Sequence, residues 1–582
     1  MGSLPADQPL VDRLAGWAVT RPDAPAYTFI DYLADPAGVS RGYTWGRLHG
    51  EAAALAQRLR RFAEPGDRVA ILAPSGPEYV LALFAAWYAG MIPVPLFAPD
   101  RPGYAARLAA SYTDCAPRCV VTVPSAAAAV RDFVSEGKHR PAVVVVGPEP
   151  QPETDEPDPD WRPAPVAADG VAYLQYTSGS TRAPAGVEIS HRNLTANVGQ
   201  MFGALFGGRA RLTAVSWLPL FHDMGLLATV ATPLWRGTDA VFFDPAAFLM
   251  QPVRWLRQLS GRAAACTGAP NFAYDFCARR LCVSDLSGLD LRGVFLWLNG
   301  AEPVQAGTLE RFAGLLAGAG LETSAIRPAY GLAEATVFVA AARTGRPART
   351  TRFDSGRLAE GVAVPAPDGA AGSVLASCGR PASQRLAIVD PARRTVVPAG
   401  QVGEIWVHGP NVARRYWGQP ELSARVFDAV LAGPAPGLPA GPWLRTGDLG
   451  VSHDGDLYVT GRLKDLIVLS GRNHYPQDLE ETVALATPAV GRVAAFAVPV
   501  ENQERVVVVC EVSGPRDWLA AEVARQTRVA VWQRHELVLH DVVFIGPGGI
   551  PRTTSGKVSR TGCRTRYLAG GFRLAAGRRA NA

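Results

Sequence analysis

QYTSGSTRAPAGV, residues 175–187, decides how this chain is read, because it sets hydroxyls and glycines directly after a short apolar run at 171–174. Small residues let backbone N–H groups turn toward an anion. Gly179 supplies that freedom, and Thr177, Ser178, Ser180 and Thr181 add hydroxyl donors at little steric cost. Arg182 adds a fixed positive charge. The stretch reads as a strand followed by a phosphate-holding loop. It is not the loop of nucleoside triphosphatases, whose last glycine precedes a Lys-Ser/Thr pair, since Gly186 is followed here by Val187.

Three further segments follow in order: YGLAE at 330–334, LRTGD at 444–448 and PRTTSGK at 551–557. Together with the 175–187 loop they resemble the adenylate-forming superfamily of acyl-CoA synthetases, luciferases and peptide-synthetase adenylation domains, over about residues 43–566. The resemblance implies an α/β fold: a large N-terminal domain of layered α/β subdomains with a small β-barrel, then a smaller, mobile α+β C-terminal domain. The expected boundary divides residues 1–461 from 462–582.

Residue patterning agrees with that layout. Apolar strand candidates at 68–72, 118–123, 142–146 and 293–298 alternate with amphipathic stretches such as 44–61, as parallel α/β layers require. From 379 to 459 short β-rich pieces between Gly/Pro turns suggest a barrel or sandwich. Beyond 462 come strand candidates at 466–469, 493–499, 506–512 and 542–545, with helices at 476–485 and 517–529. Residues 147–169 are Pro-rich and acidic and read as a surface excursion.

A chain of 582 residues with 48% hydrophobic and 19% charged content can bury several cores. Its net charge of +6 is mild, and no basic stripe interleaved with aromatics predicts a nucleic-acid partner. The eight cysteines form no CxxC pair and read as reduced thiols of a cytoplasmic protein without a structural metal. No secretory signal opens the sequence. The apolar stretch 79–98 is long enough to cross a bilayer, but Gly90, Pro93 and Pro95 divide it into a buried helix at 78–89 and a strand at 91–96, so no membrane span is expected.

Of 58 basic residues only three are lysines, at 138, 464 and 557. A sequence that writes nearly every cation as arginine keeps lysine where a compact ammonium differs from a planar guanidinium. That singles out Lys557 and, after it, Lys464, while Lys138 reads as a solvated surface residue.

The superfamily's first reaction joins a carboxylate to the α-phosphate of ATP and releases pyrophosphate. A carboxylic acid of pKa about 4 is already ionised at neutral pH, so the obstacle is repulsion between anions and charge gathering at phosphorus. Oriented cations and N–H groups must supply the rate. By resemblance, Lys557 contacts the substrate carboxylate and the α-phosphate, and Glu334 helps hold Mg²⁺ with Thr177 or Thr181 nearby. Asp448 accepts the ribose hydroxyls. Asn299, Gly300, Ala301 and Glu302 line the adenine together with Ala329 and Gly331, and Tyr330 stacks on it. His222 in LPLFHDMGL stands beside the carboxylate, and Arg462 and Lys464 in GRLKD form the hinge of the small domain. One departure is plain: most relatives carry a lysine where Ala185 stands, and Arg182 is the natural substitute.

QYTSGSTR, GAPNFAYDFCARR at 268–280, LNGAEPVQAGTLERFA at 298–313 and GRNHYPQDLE at 471–480 resemble the fatty acyl-AMP ligase branch. So does an extra segment at about 351–376, where those ligases carry an insertion that restrains the small domain. The branch implies a medium- to long-chain fatty acid as substrate and transfer of the acyl group to the phosphopantetheine thiol of an acyl carrier protein in a polyketide or nonribosomal peptide pathway. No carrier signature follows residue 560, so the carrier is expected in trans. Apolar residues around 272–276 and 217–227 suit an acyl tunnel. The competing readings are a long-chain acyl-CoA synthetase and a catalytically silent acyl-adenylate binder.

Overall fold

The structure is a computed structural model that describes residues 8–100, 104–137, 139–147, 160–177, 184–209, 211–367, 370, 372–433, 435–469, 472–486, 489–501, 503–512, 519–553 and 556–572. Its largest sheet has nine strands. Six of them run parallel side by side: Pro25–Asp31, Asp239–Phe243, Thr213–Ser216, Ala265–Pro270, Val294–Gly300 and Ile326–Tyr330. Strand Val39–Thr44 closes one edge antiparallel, and the short pieces Ala340–Ala341 and Arg380–Pro381 close the other. The parallel strands read as near-continuous apolar runs because both sheet faces are covered.

A second, four-stranded parallel sheet holds Ile92–Leu96, Arg68–Leu72, Cys119–Thr122 and Ala142–Val145 in that spatial order. Helix Pro77–Tyr88 feeds into it with every residue buried. That explains its membrane-like composition: an all-round apolar helix is a core helix. Among the described residues no helix is long and apolar enough to cross a membrane.

The apolar run before the 175–187 loop is the strand Val171–Tyr176, and a return strand that the sequence reading did not foresee, Gly186–Ser190, pairs with it antiparallel as a hairpin, with Tyr176 opposite Gly186. The β-rich segment is a four-stranded antiparallel sheet of Arg385–Val389, Gly403–His408, Leu444–His453 and Asp456–Arg462. Its end strands do not pair with each other among the described residues, in a region where the sequence suggested a small barrel or sandwich. The 351–376 segment makes a small antiparallel pair, Thr350–Asp354 with Gly372–Ala376, around the short helix Ser355–Ala359.

The smaller C-terminal domain is built on strands Val490–Val500, Gln503–Val512 and Leu539–Ile545. The last two are parallel and are bridged by helix Leu519–His535, a βαβ crossover. Helices Pro476–Ala486 and Arg560–Leu568 complete it, and its cores hold Val506, Val508, Leu479 and Val531 on one side and Phe496, Val507 and Val509 on the other. The alternation of adjacent valines between two cores is the period of a sheet buried on both faces.

Candidate active site

A cavity of about 760 Å³ opens at the carboxyl ends of the parallel strands, where open α/β sheets bind their ligands. Ser216, Gly300 and Tyr330 end their strands in its wall, Gly268 sits near the end of its strand, and Ala301 and Gly331 directly follow theirs. Glycine is required at Gly331, where a Cβ would lie 1.6 Å from the Val337 carbonyl oxygen; at Gly268 a Cβ would lie 2.8 Å from Met224 Cε, a contact that a shift of that flexible side chain relieves.

From the N-terminal side come Thr177, His222, Asp223 and Glu334; from the junction with the small domain come Arg462 and Lys464; from the C-terminal domain comes Lys557. A lysine 557 residues along the chain thus reaches the cavity formed by strands before residue 331. Burial pulls the Lys557 pKa below its ordinary value, opposed first by the Asp223 carboxylate and then by Glu302 and Asp448, with Arg462 pushing the same way as burial. The loop carrying it is pinned locally, since Thr553 N donates to Lys557 O (2.8 Å) and Lys557 N donates to Thr553 Oγ1 (3.2 Å).

His222 pairs with its neighbour, Nδ1 to Asp223 Oδ1 at 2.7 Å. Burial would raise the Asp223 carboxyl, but His222 and Lys557 outweigh it and hold the group below the usual carboxylate range. Fixing Nδ1 on a carboxylate sets the imidazole tautomer and ring orientation. Glu334 accepts a hydrogen bond from the Tyr416 hydroxyl at 2.8 Å. Among the described residues no three His, Cys, Asp or Glu side chains cluster as a metal cage. A lone carboxylate that shares a cavity with the Thr177 hydroxyl fits Mg²⁺ carried in on phosphate oxygens, which needs only one or two protein ligands.

Asp448 is held differently from a free acceptor. Its Oδ2 takes the Tyr330 hydroxyl at 2.9 Å, its Oδ1 faces Arg462 Nε at 3.0 Å, and its side chain is not part of the cavity wall. The turn before it is organised by Glu404, a residue the motif reading missed. Glu404 accepts from Arg445 Nη2 (3.0 Å) and from the backbone N–H of Gly447 (3.1 Å), which sits at φ +69°. Only the pattern of a buried acid in an otherwise apolar strand, GEIWV, signalled it.

The 299–302 segment splits. Gly300 and Ala301 face the cavity with Ala329, Tyr330 and Gly331, whereas Asn299 and Glu302 do not. Asn299 Nδ2 turns to Asn271 Oδ1 at 3.2 Å, and Glu302 accepts from the Phe272 N–H at 2.5 Å, capping the first turn of helix Asn271–Arg280. Burial pushes the Glu302 carboxyl above its ordinary range, opposed by this backbone hydrogen bond and by Lys557. The acyl-tunnel expectation also shifts. Trp217 stacks on Phe248 at 4.0 Å in the core, and the partly buried Phe272 and Phe276 pack against that pair outside the cavity wall. The expected 217–227 stretch does give Phe221, Met224 and Leu227 to the cavity wall, where Met201, Phe206, Leu296 and Phe338 join them. Leu227 opens a π-helical turn, Leu227–Ala231, a widening often found at binding sites. Ser178, Gly179, Ser180, Thr181 and Arg182 lie outside the described residues. Ala185 is buried at 1% exposure.

Residues 14–417 match the AMP-binding enzyme family and residues 464–576 match the Disco-interacting protein 2-like AMP domain. The long-chain-fatty-acid–AMP ligase FadD26 of Mycobacterium marinum is 43% identical over 97% of this chain and 98% of that protein. The 4-hydroxyphenylalkanoate adenylyltransferase of Mycobacterium tuberculosis is 42% identical over 97% and 92%. Among solved structures, a fatty acyl-adenylate ligase from L. pneumophila in complex with acyl adenylate and pyrophosphate superposes with a TM-score of 0.73 at 32% identity, covering 98% of each chain. An enzyme of adenylate formation is therefore what these strands, this cavity and this lysine compose, and the chain belongs to the AMP-binding enzyme family, in its fatty-acid–AMP ligase branch.

Proposed function

We propose that the protein activates a medium- to long-chain fatty acid with ATP, giving acyl-AMP and pyrophosphate, and then passes the acyl group to the phosphopantetheine thiol of an acyl carrier protein acting in trans in a polyketide or nonribosomal peptide pathway. The observation that carries the first step is the arrival of Lys557 in a cavity that has glycine-rich strand ends on one side and Met201, Phe206 and Leu296 on the other. The apolar end takes the acyl chain, and the strand ends around Tyr330 and Gly300 take the nucleotide. Lys557 then lies between carboxylate and α-phosphate, where a point charge lowers the repulsion between them.

His222, oriented by Asp223, borders the carboxylate. Thr177 and Glu334 serve the phosphates, and Mg²⁺ held there would neutralise their charge. Asp448 receives the ribose hydroxyls once Tyr330 or Arg462 yields one of its oxygens. Arg182, from the hairpin tip, supplies the terminal-phosphate charge that Ala185 cannot. Residues 1–461 and 462–582 act as the two moving bodies, with Arg462 and Lys464 at the hinge, and the 351–376 segment restrains the rotation and so disfavours release to free CoA.

Incubation with ATP, Mg²⁺ and a ladder of fatty acids, followed by CoA or a holo carrier protein, tests the whole reading. Acyl-AMP that persists with CoA and is consumed by the carrier is the expected result. Efficient acyl-CoA synthesis would replace this function with that of an acyl-CoA synthetase, and absence of acyl-AMP with every acid would leave a silent binder.

A further inference from the structure

Helix Ala105–Cys115 belongs to none of the recognised motifs, yet its N-terminal turn touches three parts of the site at once. Tyr104, at its N-cap, donates its hydroxyl to the Thr553 carbonyl at 3.2 Å, across the gap to the C-terminal domain. Thr553 is the residue that braces Lys557 through two backbone-directed hydrogen bonds. Three residues on, at the spacing that places side chains on one helix face, Arg107 donates from Nη2 to the Thr177 carbonyl at 2.5 Å, where the hairpin strand enters its tip. The Tyr104 ring packs edge-on against Phe97 (6.2 Å), and Phe97 packs on Phe221 (5.2 Å), the residue before His222. Gln175 closes the circuit by donating to the Phe221 carbonyl at 3.0 Å.

We propose that Tyr104 and Arg107 form a strut between the phosphate-loop hairpin and the Lys557 loop, and are positioning residues for the adenylation half-reaction. The strut sets the distance between the lysine and the phosphates that the hairpin holds. Neither residue touches reacting atoms; each acts through the loop it ties down. Placement is a large lever, because a shift of about 1 Å in a reacting group can cost about a hundredfold in rate. Tyr104 is the only one of the two that crosses to the mobile domain, so its bond forms in the arrangement that presents Lys557 and is broken by rotation away from it. Arg107 keeps its charge although burial pulls its pKa down, so the Thr177 carbonyl is held by a charged donor, a stronger tie than a neutral one.

The inference rests on the adenylation reading above, and the test separates the two. Tyr104→Phe keeps the ring against Phe97 and removes only the hydroxyl. It should lower kcat for acyl-AMP formation about five- to tenfold, change the KM for ATP less than about twofold, and leave acyl transfer from pre-formed acyl-AMP to a holo carrier protein at the wild-type rate. Arg107→Lys keeps a cation but loses the planar fork, and should lower kcat for the first step by a similar factor. The two combined should lose less than the product of the single losses, as residues of one strut do. Unchanged acyl-AMP kinetics in Tyr104→Phe, or equal losses in both half-reactions, overturns the strut while leaving the adenylation function standing. A wild-type protein that makes no acyl-AMP overturns both.

Discussion

Ser373 and Asp478 meet across the two domains: the Ser373 hydroxyl, on the inserted strand Gly372–Ala376, donates to Asp478 Oδ2 at 3.0 Å in the first turn of helix Pro476–Ala486. Beside this bond Tyr475 is buried among Phe353, Leu358 and Ala363, and its hydroxyl donates to the Leu358 carbonyl at 3.4 Å. Residues 353–373 therefore meet the small domain through an apolar socket with one polar contact, as the proposed restraint requires. A preference of only about 2–3 kcal/mol for one orientation suppresses the other roughly a hundredfold. Deleting residues 351–376 should let some acyl-CoA form when CoA is offered, measured as product ratio; a deletion variant that still makes acyl-AMP but no acyl-CoA would refute the restraint.

The Ser373–Asp478 contact carries a pH signature. Burial pushes the Asp478 carboxyl up to about 7; Ser373 and Arg534 oppose the rise, and Glu481 and Glu480 add to it. The far side is lined by Thr482 and His535, which share a 2.7 Å hydrogen bond. An acid whose folded value exceeds its unfolded value of about 3.9 favours the protonated fold. Its stability contribution is complete below about pH 4, declines as pH rises toward 7 and is level above. Asp478→Asn, with nothing to ionise, should gain in melting temperature relative to wild type from pH 5 to pH 8. A constant gap across that range would contradict the assignment.

Lys557→Ala should abolish acyl-AMP formation by more than about a hundredfold in kcat, with ATP still bound, because the lysine serves the reacting state rather than the nucleotide pocket. Lys557→Arg should recover little, since a wide fork does not replace a point charge. Single-turnover rates alongside ATP binding decide it, and a near-normal acyl-AMP yield in the alanine variant would refute the mechanism.

Asp223 is the largest influence keeping Lys557 protonated against burial. Replacing it by asparagine removes that support, so the Lys557 pKa should fall further and the alkaline limb of the adenylation pH profile should move to lower pH. A limb that stays in place in Asp223→Asn would detach Asp223 from the lysine.

His191, at the first position of helix His191–Leu205, is buried beside Trp87, and burial pulls its pKa down to about 4. A base with a folded value below its unfolded 6.5 favours the neutral fold. Its contribution is complete above about pH 6.5 and is lost as pH falls toward 4. The melting temperature should drop over that interval, and His191→Gln should flatten part of the drop.

How much was legible in the sequence follows from what carries each signal. The parallel strands were readable as apolar runs: 68–72 is the observed Arg68–Leu72, and 293–298 is Val294–Gly300. Gly300 and Gly331 were legible only through the motifs that carry them; the backbone crowding that leaves no room for a Cβ at Gly331 shows only in the fold. Long-range relations were not. Nothing local to Asn299 or Glu302 says that they turn toward Asn271 and a helix terminus, and nothing in FAYDF distinguishes a tunnel wall from side chains packed against Trp217 and Phe248. Tyr104 and Arg107 left no motif, because their partners are main-chain carbonyls, which any residue offers. The hairpin was missed because its return strand, GVEIS, is short and lies beyond the tip.

The scarcity of lysine has a practical outcome now that Lys557 is placed in the cavity wall. Amine-directed reagents find few targets on this chain, and the proposed domain rotation would cover or uncover one of them. Modification at that single nitrogen, followed by peptide mapping with and without nucleotide, turns the swing of the C-terminal domain into a stoichiometry that can be counted.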